Sequence, residues 1–243
     1  MTETEGFLER GGLPRLAWRR VEGAGPTVLW LGGFRSDMDG TKAQALAEAA
    51  KAHGWSYLRF DYRAHGRSDG RWEDCVIGDW RQDALDVIDR LTDGPLVLIG
   101  SSMGGWMACL AAVARPERVK ALALIAPAPD FTERLMRPKL SAEAVRALET
   151  EGVWMEPSPY DAPFAITRRF LAEGRDWAIL DGEVAIDAPV RILQGSDDPD
   201  VPWTHALELA RKLRSRDVIF TLVKHGDHRL STPADLDRLV RTV

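Results

Sequence analysis

A serine, a histidine and an aspartate in the right relative order can break an acyl bond, and this chain offers all three where a fold could gather them. Gly100-Ser101-Ser102-Met103-Gly104 follows the apolar run at residues 96–99 and opens a helical segment. A serine on so sharp a strand-to-helix turn needs small neighbours two positions away, because the chain passes closely on both sides. Gly100 and Gly104 meet that need. The first amides of the following helix face charge that develops near Ser102, so Met103 N–H is one expected oxyanion donor. The other is expected from the loop after the first central strand, Leu31-Gly32-Gly33-Phe34, at Phe34 N–H. The bland alternatives are a Gly/Ser turn that ends a strand and a plain flexible Gly-Gly turn.

Such a serine needs a base. Of the five histidines, His53 lies near a helix end, His65 in a Gly-rich loop and His205 at a helix start, and each reads as a surface residue. His225 and His228 both follow the last strand. His228 is favoured, because Gly226-Asp227-His228 leaves it in a loop able to reach back over the sheet, whereas His225 finishes the strand. Gly195-Ser196-Asp197-Asp198-Pro199-Asp200-Val201-Pro202, after the strand at 190–193, supplies three aspartates for the orienting acid.

The elements that must hold these groups alternate. Strands are expected at 27–31, 55–60, 95–99 and 119–125, with helices at 41–53, 79–91 and 103–114, and an opening hairpin at 7–10 and 16–21. The helix at 41–53 closes at Gly54. Strand and helix resume at 190–193, 206–213, 218–223 and 233–240. This pattern implies an α/β fold with a mostly parallel sheet covered by helices on both faces. Between 130 and 187 it breaks into helical pieces interrupted by Pro138, Pro157, Pro159 and Pro163. That stretch is read as a small helical cap inserted into a core domain of residues 1–129 and 188–243. It is rich in apolar groups, among them Phe131, Leu135, Trp154, Tyr160, Phe164 and Phe170. Trp106, Trp154 and Trp203 are expected to wall an acyl pocket; Trp18, Trp30, Trp55 and Trp177 are expected in core or supporting positions. Asp61 to Ser68 reads as a structural loop that braces the site.

Composition narrows the partners. The 243 residues are 45% hydrophobic and 28% charged, with a net charge of -5, which is ordinary globular usage. No basic run suggests nucleic acid, and no apolar stretch approaches the roughly 20 residues that span a bilayer. The acidic start of the chain resembles neither a secretory signal nor a mitochondrial presequence, so a cytoplasmic location is expected. Cys75 and Cys109 read as reduced and structural.

With these residues in hand, the chain resembles the α/β-hydrolase family of the mitochondrial palmitoyl-protein thioesterase and acyl-glucuronide esterase, α/β-hydrolase domain-containing protein ten. The likeness runs from about Val28 to Arg229 through Met38-Asp39-Gly40-Thr41-Lys42-Ala43, Phe60-Asp61-Tyr62, Gly100-Ser101-Ser102 with Gly104-Gly105-Trp106, Ala114-Arg115-Pro116-Glu117, Gly152-Val153-Trp154, Val201-Pro202-Trp203 and Asp227-His228-Arg229. The resemblance implies Ser102 as nucleophile, His228 as base and Asp198 as orienter, the last in a Gly-x-x-Asp-x-x-Val-Pro pattern. Asp197 and Asp200 are then read as turn residues. It also implies hydrolysis of carboxylic esters or thioesters, in small-molecule or acylated-protein substrates, with no metal or organic cofactor. The missing presequence and the Ala- and Arg-rich composition suggest a bacterial relative. Amide or carbon–carbon bond hydrolysis on the same scaffold, and a binding protein without turnover, are the competing readings.

Overall fold

The computed structural model describes residues 2–157 and 162–243; Pro159 and Tyr160, named above in the cap, lie outside them. The chain opens with an antiparallel hairpin, β1 (Glu3–Arg10) and β2 (Leu13–Val21). Then β3 (Ala24–Leu31) leads to α1 (Thr41–His53), which stops at Gly54 in the left-handed region at φ 76°. There follow β4 (Trp55–Phe60), α2 (Ile77–Leu91), β5 (Leu96–Ser101), α3 (Met103–Ala114) and β6 (Val119–Ile125). After the insertion come α4 (Ala142–Thr150), β7 (Val153–Glu156), β8 (Phe164–Thr167) and α5 (Arg168–Glu173) within it, then β9 (Val190–Gly195), α6 (Trp203–Lys212), β10 (Val218–Val223) and α7 (Pro233–Thr242).

Eight strands form one sheet in the order β1-β2-β4-β3-β5-β6-β9-β10, parallel from β4 onward. Alternate residues of each central strand feed opposite layers, as the two-residue strand period requires. Leu29, Leu31, Leu58, Leu98, Leu122 and Ile192 pack toward α2, α3 and α6. Val28, Trp30, Tyr57, Ile99, Ala123 and Leu193 pack toward α1 and α7. α3 is buried almost all round, which is why its sequence is apolar on every face. The expected α/β fold is therefore the observed one.

The stretch between β6 and β9 holds more than helical pieces. A π-helical turn at Thr132–Met136 and a 3-10 turn at Arg137–Lys139 precede α4, but β7 and β8 then pair as an antiparallel hairpin, Trp154 opposite Ile166. Of the prolines that read as helix breakers, Pro157 and Pro163 border these two strands and Pro138 lies within the 3-10 turn. Both ends of the insertion are tied together: Asp130 accepts the N–H groups of Ile179 and Leu180 at 2.9 and 2.8 Å. Trp72 Nε1–H donates to Ala165 O at 2.8 Å and fixes the hairpin to the loop after β4.

That loop is tied to β1, to α2 and to the loop after β3. Arg63 bonds Asp83 through its backbone N–H and through Nε and Nη2, and Arg10 reaches the same carboxylate at 2.6 Å. Asp83 is fully buried, so this pairing is what makes its charge tolerable. Asp61 accepts Met38 N–H at 2.7 Å and Arg67 N–H at 2.8 Å; a Cβ on Gly66, at φ 47°, would strike its carboxylate. Burial pushes the Asp61 carboxyl up to about 6 despite these donors. The folded protein thus holds this proton more tightly than the unfolded chain. Its contribution to stability is fully present below about pH 3.8 and is lost as pH rises through about 6, a change on the order of 3 kcal/mol. Denaturant titrations should show the stability of wild type relative to Asp61→Asn falling by that order between pH 4 and pH 7. A difference flat across the window would refute it. Cys75 and Cys109 are free and buried, with both thiols pushed up to about 12 by burial.

Candidate active site

Ser102 stands between β5 and α3 at φ 55°, ψ -119°, a conformation that costs energy in any residue with a side chain. The fold over-determines it. Ser102 N–H donates to Ile125 O, and its own carbonyl accepts from Gly105 N–H and Ala128 N–H. A Cβ at Gly100 would strike the Gly104 carbonyl, and one at Gly104 would strike that of Leu31; both glycines are needed for the chain to pass itself.

The base and the acid arrive from two loops brought together by another close approach. Gly195 at the end of β9 lies against Gly226 in the loop after β10, where a Cβ would meet the Gly226 carbonyl, and Asp197 N–H donates to Gly226 O. His228 Nδ1 is 2.8 Å from Asp198 Oδ2, and its Nε2 is 3.1 Å from Ser102 Oγ. With Nδ1–H donating to a carboxylate, Nε2 is left as acceptor for the serine proton. Asp198 is fully buried at its side chain and His228 only partly. Burial alone would raise the Asp198 carboxyl, but the His228 hydrogen bond and charge and the N–H groups of Val201 and Asp200 outweigh it, so the carboxyl lies below its ordinary value.

The other residues weighed fall elsewhere. His225 pairs with Asp197 at 3.0 Å in an exposed couple. Asp200 gives its N–H to Asp198, as a turn residue would. His65 and His205 are not surface residues; both are buried, and His205 lies 2.8 Å from Pro129 O. Asp198, Asp200 and His228 come close enough together to resemble metal ligands, yet His228 Nδ1 is committed to the Asp198 carboxylate.

Ser102 and His228 open onto a cavity of about 440 Å³ that Phe34 and Met103 also line. Neither the Phe34 nor the Met103 amide donates to another group among the described residues. Phe131, Leu135, Met136, Leu140, Phe164 and Ile166 supply its apolar wall, with Lys139, Glu156 and Asp200 beside them. A second cavity of about 400 Å³ shares Phe34, Ser102 and His228 and is lined by polar groups that include Ser36, Asp37, Thr41, Lys42 and Ser231.

None of the three tryptophans expected at the pocket lines this first cavity. Trp106 is fully buried in α3, donates to Trp177 O and packs edge-on against Phe131, behind the wall. Trp154 turns its indole N–H onto Glu156 Oε2 at 2.7 Å. Trp203 is 40% exposed at the start of α6. Proximity in sequence to the site loops, for Trp106 and Trp203, and a place in the cap, for Trp154, did not reveal which way these rings face. Sequence reasoning also missed Gln194, fully buried, whose Nε2 donates to Asp198 Oδ2 at 3.0 Å and to Val201 O. Its signal was a lone amide closing an apolar strand four residues before the acid.

A family model for the α/β hydrolase fold matches residues 26–150. A Bos taurus relative, "Palmitoyl-protein thioesterase ABHD10, mitochondrial", is 40% identical over 98% of this chain and 78% of its own length. This chain belongs to the α/β-hydrolase family. The solved structure of mouse α/β-hydrolase domain-containing protein 10 superposes with a TM-score of 0.90 at 38% identity, covering 98% of this chain and 96% of that one. A structure from Agrobacterium vitis S4 gives 0.92 at 39% identity over 99% and 97%. The chain is accordingly an enzyme, a hydrolase of ester or thioester bonds, and the reading as a binder without turnover falls away. The cytoplasmic expectation is also overturned, since the bovine relative and its counterparts in other mammals are named mitochondrial; the charge pattern of the first ten residues was no guide to compartment. Among the described residues, no helix is long and apolar enough to cross a membrane.

Proposed function

We propose that this hydrolase cleaves thioesters or esters of medium to long acyl chains through a Ser102 acyl-enzyme. The observation that carries the proposal is the Asp198–His228–Ser102 hydrogen-bond chain at the mouth of an apolar cavity of about 440 Å³. Ser102 Oγ attacks the substrate carbonyl carbon while His228 Nε2 takes its proton, and Asp198 holds the imidazole in register and stabilises the imidazolium. The Phe34 and Met103 amides receive the oxyanion. Collapse breaks the bond to the thiol or alcohol, which leaves with the His228 proton, and water then repeats the sequence to release the acid. Residues 130–187 act as the cap on a core of residues 1–129 and 188–243, and they provide most of the apolar wall. The second, polar cavity shares Ser102 and His228 and suits the leaving group. The palmitoyl specificity in the bovine relative's name agrees with a long apolar acyl group.

Each further buried CH₂ favours binding by up to about 0.8 kcal/mol until the cavity is full. kcat/KM measured from acetyl to palmitoyl thioesters should therefore climb to a medium or long optimum. Met136→Trp, which fills the cavity from the cap side, should move the optimum to shorter chains. A wild-type preference for acetyl, or an optimum that Met136→Trp leaves in place, would count against this acyl site.

A further inference from the structure

His65 is 3% exposed, belongs to no triad, and is enclosed by the rings of Tyr62, Trp72 and Trp80 at 5.8, 5.3 and 5.2 Å. Its two nitrogens have different partners. Nδ1 lies 3.1 Å from Arg63 O, which only a protonated Nδ1 can satisfy, so the lone pair is on Nε2. That lone pair accepts the Arg35 N–H at 3.2 Å. Burial drives His65 down to about 4, so the ring is neutral, and remains an acceptor, at neutral pH.

Arg35 follows Phe34 and sits at φ 58°, in the left-handed region where glycine is the usual choice. It is the third residue of a turn closed by Ser36 N–H on Gly33 O, and Ser36 Oγ–H donates to the same oxygen at 2.8 Å. A turn with positive φ at this position has its central peptide flipped relative to the commoner type. The Arg35 N–H belongs to that central peptide. Ser36 fixes the neighbouring peptide plane, which contains Gly33 C=O and Phe34 N–H. The Arg35 guanidinium lies 4.2 Å from the centre of the Phe164 ring, so the same turn also contacts the acyl cavity wall.

We propose that His65 is a positioning residue for acyl transfer: by accepting the Arg35 N–H, it holds the Gly33–Ser36 turn in the form that presents Phe34 N–H to the oxyanion. The inference rests on the reading of Phe34 N–H as an oxyanion donor. Without the Nε2 acceptor, the strained turn is free to relax and the donor moves away, while Ser102, His228 and the cap side of the acyl cavity stay as they are.

The test compares His65→Leu, which has no acceptor, with His65→Gln, whose Oε1 can take the place of Nε2, and His65→Asn, whose side chain is too short to reach. For each, kcat and KM on one thioester are measured beside the Ki of a trifluoromethyl ketone with the same acyl chain. Loss of one oxyanion donor typically costs about 10²- to 10³-fold in kcat. His65→Leu should lose about 10²-fold in kcat with KM changed less than about threefold, and Ki should weaken in step with kcat/KM. Gln should recover at least about tenfold of that loss and Asn should not. A folded His65→Leu with wild-type kcat, or one whose loss lies in KM alone, overturns the proposal. Should His65→Leu fail to fold, equal kcat values in the Gln and Asn variants overturn it instead. A crystal structure of the wild-type trifluoromethyl ketone adduct tests the underlying reading separately. An adduct oxygen about 3 Å from Phe34 N and Met103 N leaves only the role of His65 at stake in the variants; an oxygen elsewhere removes both.

Discussion

Ser102→Ala is expected to lower kcat by about four orders of magnitude or more while leaving the fold intact. The substitution deletes one oxygen and its 3.1 Å contact with His228 Nε2. The backbone hydrogen bonds that hold this turn come from main-chain atoms and survive. The positive φ burdens alanine as it burdens serine, so stability should move by no more than about 1 kcal/mol. What disappears is the acyl-enzyme route; the oxyanion donors and the acyl cavity remain, and they alone sustain roughly 10³- to 10⁴-fold catalysis over water in other serine hydrolases. Covalent labelling by a fluorophosphonate should vanish in the same variant. If a correctly folded Ser102→Ala kept more than a tenth of wild-type turnover, Ser102 would not be the nucleophile.

The central strands and the helices between them were legible because each carries a single dominant pattern. The helix at Met103–Ala114 and the strand at Val119–Ile125 begin and end where the sequence pattern placed them, since burial of nearly all their residues leaves little polar ambiguity. The sheet face was legible for the same reason. The insertion was not: β7 and β8 are four residues each, too short to display a period, and the prolines beside them mark a helix stop as readily as a strand end. At the site, glycines at the elbow carried the signal because close backbone approach permits nothing else. Side-chain direction carried none. Trp106 lies near Ser102 in sequence and Trp154 was read as part of the cap, yet Trp106 faces the interior and Trp154 its own strand's Glu156. His65 was read as a bystander for the converse reason, because its role depends on a contact with Arg35, 30 positions away, that no local pattern records.

Asp198→Asn should be nearly as damaging as loss of the serine, and the geometry explains why a change of one atom suffices. Asp198 Oδ1 accepts the N–H groups of Asp200 and Val201, each at 2.9 Å, and Oδ2 accepts from His228 Nδ1 and Gln194 Nε2. All four partners act as donors to an acceptor-only group. An asparagine must keep its oxygen toward the two backbone N–H groups, which cannot turn away, and so presents its NH₂ to His228. The imidazole then has to accept at Nδ1 and carry its proton on Nε2, opposite Ser102 Oγ, where it can no longer serve as base. A loss of about 10⁴-fold in kcat near neutral pH is expected. The variant should also lack the acid-side stability linkage of the wild type. Because the Asp198 carboxyl is held below its ordinary value, its stabilising contribution is present above about pH 3.8 and lost as pH falls through the lower folded value. His225→Ala and Asp200→Asn provide the contrast. The first removes one half of an exposed pair with Asp197, and the second spares the Asp200 N–H that holds Asp198, so each should lose less than about tenfold, the scale of an exposed ion pair. Parallel kcat/KM measurements on folded variants decide the matter: a mild Asp198→Asn, or a His225→Ala that proves as damaging, would mean that the acid and base act from Asp197 and His225 and not from the Asp198–His228 pair.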